Sequence, residues 1–180
     1  MQKDNVKYNK FVCEFYREIS KKNISNSNIV FLCIGTDRIT GDCFGPLVGY
    51  KLQEKKFRKL NVYGTLEFPV NASNLNDTIK EIYTNFSKPY IIAIDAALSN
   101  KEYIGKIIVS NGILRAGIGI KKQCINIGNI SIRAVVGKKS NNLKNNMEIL
   151  QNTSLNMIMN LAQTVSDGVI EVMKEKKCFL

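Results

Sequence analysis

Six apolar residues in succession, Ile29 to Ile34, stop at Gly35 and give way to a polar loop that carries Asp37, Arg38 and Asp42. Gly45-Pro46 and the helix-like run LVGYKLQEKKF follow. The apolar run has no polar alternation, so both faces of the strand it forms must be covered, the habit of a central strand in an α/β sheet. Pro46 suits the first position of a helix, where its missing N–H costs nothing. Strand, loop and helix in that order place the loop at the carboxyl end of a buried strand, where open α/β sheets put ligands and chemistry.

The rest of the chain repeats the pattern. A helix is expected from about Pro46 to Arg58 and a short strand over Asn61–Leu66. Pro69 breaks the chain, and Asn71, Ser73 or Asn74 can cap a helix that runs to about Phe86. A second continuous apolar run, Tyr90–Ile94, ends at Asp95 and is expected beside the first in the sheet interior. Tyr103–Val109 and Ile130–Val136 read as further strands. The glycines at 112, 117 and 119 make the segment between them a mobile loop or a ribbon crossing the site. Val6, Phe11, Val12, Phe15, Tyr16 and Ile19 fall at helical spacing over residues 4–20, and a turn follows at Asn23–Asn28. Met147–Lys176 is patterned as a long amphipathic helix with a break at Asn152-Thr153 or at Gly168.

Alternating strands and helices predict an α/β fold with helices on both faces of a largely parallel or mixed sheet. A chain of 180 residues, 44% hydrophobic and 23% charged, is long enough for one good core. It is read as a single domain over 1–180, with 1–27 an N-terminal helix and turn and 147–176 a long C-terminal helix.

Composition narrows the chemistry. No apolar stretch approaches the roughly 18 residues of a membrane span, and MQKDNVKYNKF lacks the apolar core of a signal peptide, so a cytoplasmic protein with no membrane partner is expected. The five cysteines are scattered and form no CxxC pair, which argues for reduced thiols and against a disulfide framework or zinc site. There is no histidine, and with it go the commonest metal ligand and the commonest general base near neutral pH. The net charge of +11 comes from lysines spread over several helices and loops rather than interleaved with aromatics. Solvated faces are therefore the plainer reading and a nucleic-acid footprint the lesser one; an acidic macromolecular partner stays open.

Two aspartates stand immediately after the two most buried-looking strands. If those strands are neighbours, Asp42 and Asp95 share a site. Paired carboxylates split their pKa values, one becoming an acid and the other staying a base, which is what activating a water against an amide requires. The structural readings stay open beside this one: Asp42 as an anion at a helix N-terminus, Asp95 as a strand-end turn former, and Asp37-Arg38 as a local ion pair. GTDRITGD lacks the Lys-Ser/Thr ending of a phosphate-binding loop, and its glycines do not fit the dinucleotide fingerprint. Cys43, with no histidine to make its thiolate, reads as a packed residue. A metal would have to rely on Asp37, Asp42, Asp95, Glu67 and carbonyl oxygens, a set that suits a hard cation weakly and nickel or zinc poorly.

The stretches CIGTDRITGDCFGPLVG, GTLEFPVNASNL and AIDAALS resemble the YyaC-type sporulation proteins, relatives of the spore germination protease and, more distantly, of the hydrogenase maturation endopeptidases. The resemblance runs from about Asn28 to the C-terminal helix and implies a three-layer αβα domain of the phosphorylase/hydrolase-like kind. By similarity, Asp42 and Asp95 fall where the germination protease carries its proposed catalytic acid pair. They also match two carboxylate metal-contacting positions of the hydrogenase endopeptidases, whose histidine has no counterpart here. Asn71 stands where similar YyaC-type proteins carry a histidine.

The function expected is a sporulation-associated peptidase that hydrolyses a peptide bond with two aspartates and neither metal nor cofactor. Asp42 and Asp95 are the catalytic pair, and Gly35, Thr36, Asp37, Arg38 and Asn71 the substrate-binding set, Arg38 orienting the substrate or a carboxylate. The partner is a protein or peptide in the cytoplasm of the sporulating cell or spore core, and a homo-oligomer is compatible with the sequence. The alternative is a catalytically silent factor that binds a peptide or protein in the same cleft.

Overall fold

A computed structural model describes residues 2–21, 28–55, 60–112, 114–116 and 125–175. The order of elements is α1 (Gln2–Ser20), β1 (Ile29–Cys33), α2 (Phe44–Glu54), β2 (Asn61–Tyr63), α3 (Leu75–Asn85), β3 (Tyr90–Ser99), β4 (Ile107–Asn111), β5 (Leu114–Ala116), β6 (Ile125–Ile127), β7 (Ile130–Lys138), α4 (Leu143–Gln151) and α5 (Leu155–Glu175). Five strands form a mixed sheet in the order β2-β1-β3-β7-β4, with only β4 antiparallel to its neighbour, and β5 and β6 form a separate antiparallel ribbon.

The two continuous apolar runs are adjacent parallel strands, in register from Ile29 opposite Tyr90 to Cys33 opposite Ile94. Side chains alternate across a strand, so each run feeds two cores. Ile29, Phe31, Cys33, Ile92 and Ile94 meet α1, α2 and α5, whereas Val30, Leu32, Ile34, Ile91 and Ala93 meet α3 and the ribbon residues Leu114 and Ile127. This double burial is why neither strand alternates in polarity. On α1, Phe11, Phe15 and Ile19 are wholly buried, each stabilising the fold by roughly 1.5–3 kcal/mol; Val6, at the same spacing, is exposed.

The chain leaves β1 through α2 to β2 on one side and then crosses by α3 to β3 on the other. The strand order therefore reverses between β1 and β3, and the carboxyl ends at such a switch are where open α/β sheets place a ligand crevice. The helix α2 lies almost in contact with the backbone there. A Cβ on Gly45 would sit 2.1 Å from the Ile34 carbonyl oxygen, and one on Gly49 would sit 2.0 Å from that of Gly64. Gly49→Ala is therefore expected to cost about 1–3 kcal/mol, as overpacking does in a rigid core, read as a lower urea midpoint with an unchanged m-value.

Several boundaries differ from the sequence expectations. The strand expected to end at Ile94 continues to Ser99, because β7 pairs with it far beyond the end of β1. Tyr103 belongs to a 3-10 turn, and β4 begins only at Ile107. Of the two break positions expected in the C-terminal helix, the one at Asn152-Thr153 is found, separating α4 from α5 at 152–154, whereas α5 runs unbroken through Gly168; α4 begins at Leu143, ahead of the expected Met147. Among the described residues no helix is long and apolar enough to cross a membrane. The expected turn at 23–27, the end of the second helix at 56–58, most of the glycine-rich segment after 112, Lys176, Cys124 and Cys178 lie outside the described residues.

Candidate active site

Asp42 is held by a loop that folds back on itself. Gly35 donates its N–H to Val70 O (2.8 Å), Thr36 N–H reaches Asp42 O (3.2 Å), and Asp42 N–H reaches Ile39 O (2.9 Å). Gly35 has φ +145°, and a Cβ there would lie 2.0 Å from the Asp42 carbonyl oxygen, so only glycine lets the loop close this tightly. Asp42 itself sits in the 3-10 turn Thr40–Cys43 that leads into α2. The residue at the helix cap is Cys43, which makes no capping hydrogen bond, so Asp42 is not a conventional N-cap.

Asp95 comes from the neighbouring strand. It is the first residue of β3 beyond the stretch paired with β1, and it pairs only with Arg133 of β7. Because β3 runs on to Ser99, the reading of Asp95 as a strand-end turn former is corrected: the residue lies inside a strand, at the switch in strand order. Just beyond it the β3–β7 register slips between Ala97 and Leu98, a bulge of the kind that occurs beside functional sites.

The two acids sense one another. Burial pushes the Asp42 carboxyl up to about 6, opposed by the Thr36 backbone N–H. Burial raises Asp95 well above the usual carboxylate range, and the negative charge of Asp42 raises it further; the Ala96 N–H and the Arg133 guanidinium pull the other way. Both carboxyls are thus raised by burial, and the charge of Asp42 acts on Asp95, the mutual influence through which paired carboxylates divide acid and base roles.

The remaining sequence candidates are distributed around this pair. Gly35 is buried, and Thr36 is half-buried with its Oγ1 accepting from Arg38 N–H at 3.3 Å. Asp37 and Arg38 are exposed and, among the described residues, form no ion pair with each other, which corrects that reading. Asn71 is half-buried in the turn before α3, its Oδ1 accepting from Ser73 N (3.0 Å) and Ser73 Oγ (2.7 Å). Glu67 is exposed. Burial, then Asp37 and Asp42, raise the Cys43 thiol, which stays protonated and packed. The residue that sequence reasoning passed over is Arg133, the one full charge inside the apolar strand ISIRAVV and the register partner of Asp95.

Residues 1–168 match the family model described as "Protein of unknown function (DUF1256)". The chain belongs to the DUF1256 family. This family member is 39% identical over 152 residues to "Uncharacterized protein YyaC" of Bacillus subtilis (strain 168), an overlap covering 83% of this chain and 72% of that protein. Among solved structures, the DUF1256 fold is similar to that of a [NiFe] hydrogenase maturation protease, HycI, from Thermococcus kodakarensis KOD1. The TM-score is 0.53 at 19% identity, with 82% of this chain and 92% of that chain covered. At that identity the likeness concerns the fold.

The donors present do not suit a nickel ion. The chain has no histidine, and among the described residues no group of three or more His, Cys, Asp or Glu is placed to hold a metal.

Proposed function

We propose that this protein is a peptidase that uses Asp42 and Asp95 as a base and an acid. The observation that carries the reading is two acids remote in sequence, both raised by burial and with the charge of Asp42 acting on Asp95, at the reversal of strand order between β1 and β3. The protease fold of the similar structure supports it. Asp42, as carboxylate, takes a proton from a water whose oxygen attacks the carbonyl carbon of the scissile amide. Asp95, as acid, delivers its proton to the substrate as the C–N bond breaks and the amine leaves. The loop 35–42 and the turn at Asn71 border the crevice and are assigned to substrate binding. A role in sporulation and a cytoplasmic site of action belong to the same proposal, as does the organisation of the chain as a single domain.

The test is hydrolysis of an unstructured peptide mixture by the purified chain, followed by appearance of new amino termini between about pH 5 and pH 9. The base must be ionised, so the rate should rise through about pH 6, where Asp42 loses its proton. The acid must be protonated, so the rate should fall at higher pH as Asp95 ionises. No hydrolysis at any pH, or a profile without the rise through about 6, overturns the assignment. The absence of histidine favours one competing reading, a binding role for the same crevice; a partner captured stoichiometrically and recovered intact would support that instead.

A further inference from the structure

The group in this crevice with no task so far is Arg133. It is the one charge within the buried stretch of a central strand, and its neighbours on either side, Ile132 and Ala134, are fully buried. Across β3 its register partner is Asp95, and across β4 it is Ile108. A guanidinium placed there would ordinarily be neutralised by a carboxylate, because a buried cation without a counter-charge is costly. Among the described residues Arg133 forms no ion pair. Its Nε is buried with no hydrogen-bond partner, and its Nη2 makes one long contact, to Ser110 Oγ at 3.4 Å. The residue as a whole keeps partial exposure. The guanidinium is therefore both under-satisfied and reachable, in line with the acid from which the reaction would proceed.

We propose that Arg133 is a receptor for a carboxylate on the bound peptide, an acidic side chain or a free C-terminus, held next to Asp95. The proposal rests on the peptidase reading for the nature of the ligand. Asp95, although it is the register partner of Arg133, forms no ion pair with it among the described residues. The planar guanidinium offers donors in a fork that matches a carboxylate with two parallel hydrogen bonds, a match that a lysine lacks. Ser131, buried on the same strand two residues earlier, and Ser110 add hydroxyl groups to the same face of the sheet. The net charge of +11 draws an anion toward the molecule. The site thereby selects peptides that present a carboxylate.

The test reads Arg133 directly. The arginines are Arg17, Arg38, Arg58, Arg115 and Arg133, so the side-chain Nε–H region of a proton–nitrogen spectrum is sparse, and the Arg133 signal is the one lost in Arg133→Lys. The full chain is titrated with three probes: an N-acetylated alanine tripeptide with a free C-terminus, the same peptide with a C-terminal amide, and an amide-capped peptide with a central glutamate. A saturable shift of the Arg133 signal is expected with the first, the third or both, and the pattern tells a terminal carboxylate from an acidic side chain. The fully amidated alanine peptide should bind at least about 10-fold more weakly, and Arg133→Gln should erase that preference. An Arg133 signal that no probe moves, or that the uncharged peptide moves equally, overturns the proposal. Cleavage followed in the same samples separates the two ideas: carboxylate binding without hydrolysis sinks the peptidase and spares Arg133, and hydrolysis indifferent to carboxylates does the reverse.

Discussion

Replacing Asp95 by asparagine is expected to lower kcat/KM for peptide hydrolysis by roughly 10²–10⁴-fold, the usual worth of a positioned acid or base. Asparagine is nearly isosteric and can still accept from the Ala96 N–H, but it has no proton to deliver at the right moment. Asp42→Asn should cause a loss of the same order, since the amide cannot accept a proton from water. The two residues act on one transition state, so the double variant should lose little more than the worse of the singles. Circular dichroism and thermal melts on the same samples check that the fold survives. Turnover at the wild-type rate by either variant would remove that residue from the mechanism.

The second large effect concerns stability, and its direction is unusual. A carboxyl whose pKa rises on folding binds a proton that the unfolded chain has already lost over the interval between the two values. For Asp42 that interval runs from about pH 4 to about pH 6. Its contribution is favourable at the acid end and declines as pH rises through about 6, above which the full cost persists. With each tenfold step in proton affinity worth 1.36 kcal/mol, that cost is about 3 kcal/mol at pH 8. Asp42→Asn should therefore raise Tm by roughly 6 to 12 °C at pH 8 and by almost nothing near pH 4. Asp95→Asn should act in the same direction, as burial and the charge of Asp42 raise its carboxyl too. A variant less stable than wild type at pH 8 would mean that the carboxylate is satisfied by the fold and that the crevice is not primed for acid–base work.

The buried centre of the sheet was legible because continuous apolar runs such as Ile29–Ile34 and Tyr90–Ile94 have few homes other than interior parallel strands. The loop between β1 and α2 was legible for a similar reason: glycine, proline and acidic residues cluster where a strand turns into a helix. What sequence could not supply was pairing beyond the run. Asp95 reads as a stop because aspartate is disfavoured in strands, yet β7 holds β3 extended for four more residues, to Ser99. The separation of α4 from α5 was visible at Asn152-Thr153, whereas Gly168 offered an equal cue and is helical, because its missing side chain makes room for the Phe11 ring. Arg133 was hidden by its setting. One charge in ISIRAVV reads as an incidental solvent-facing position until the register puts it opposite Asp95, and the telling signal was a full charge in a strand otherwise buried on both sides.

The contacts that locate Asp42 run between peptide groups: Gly35 against the Asp42 carbonyl, Gly45 against that of Ile34, Gly49 against that of Gly64. Main chain docked on main chain has no rotamers to change, so the anchorage of this acid is insulated from drift in the surrounding apolar side chains. Exchanges of leucine for isoleucine or methionine in the interior should leave the carboxylate in register, while a single methyl group added at any of those glycines would unseat it.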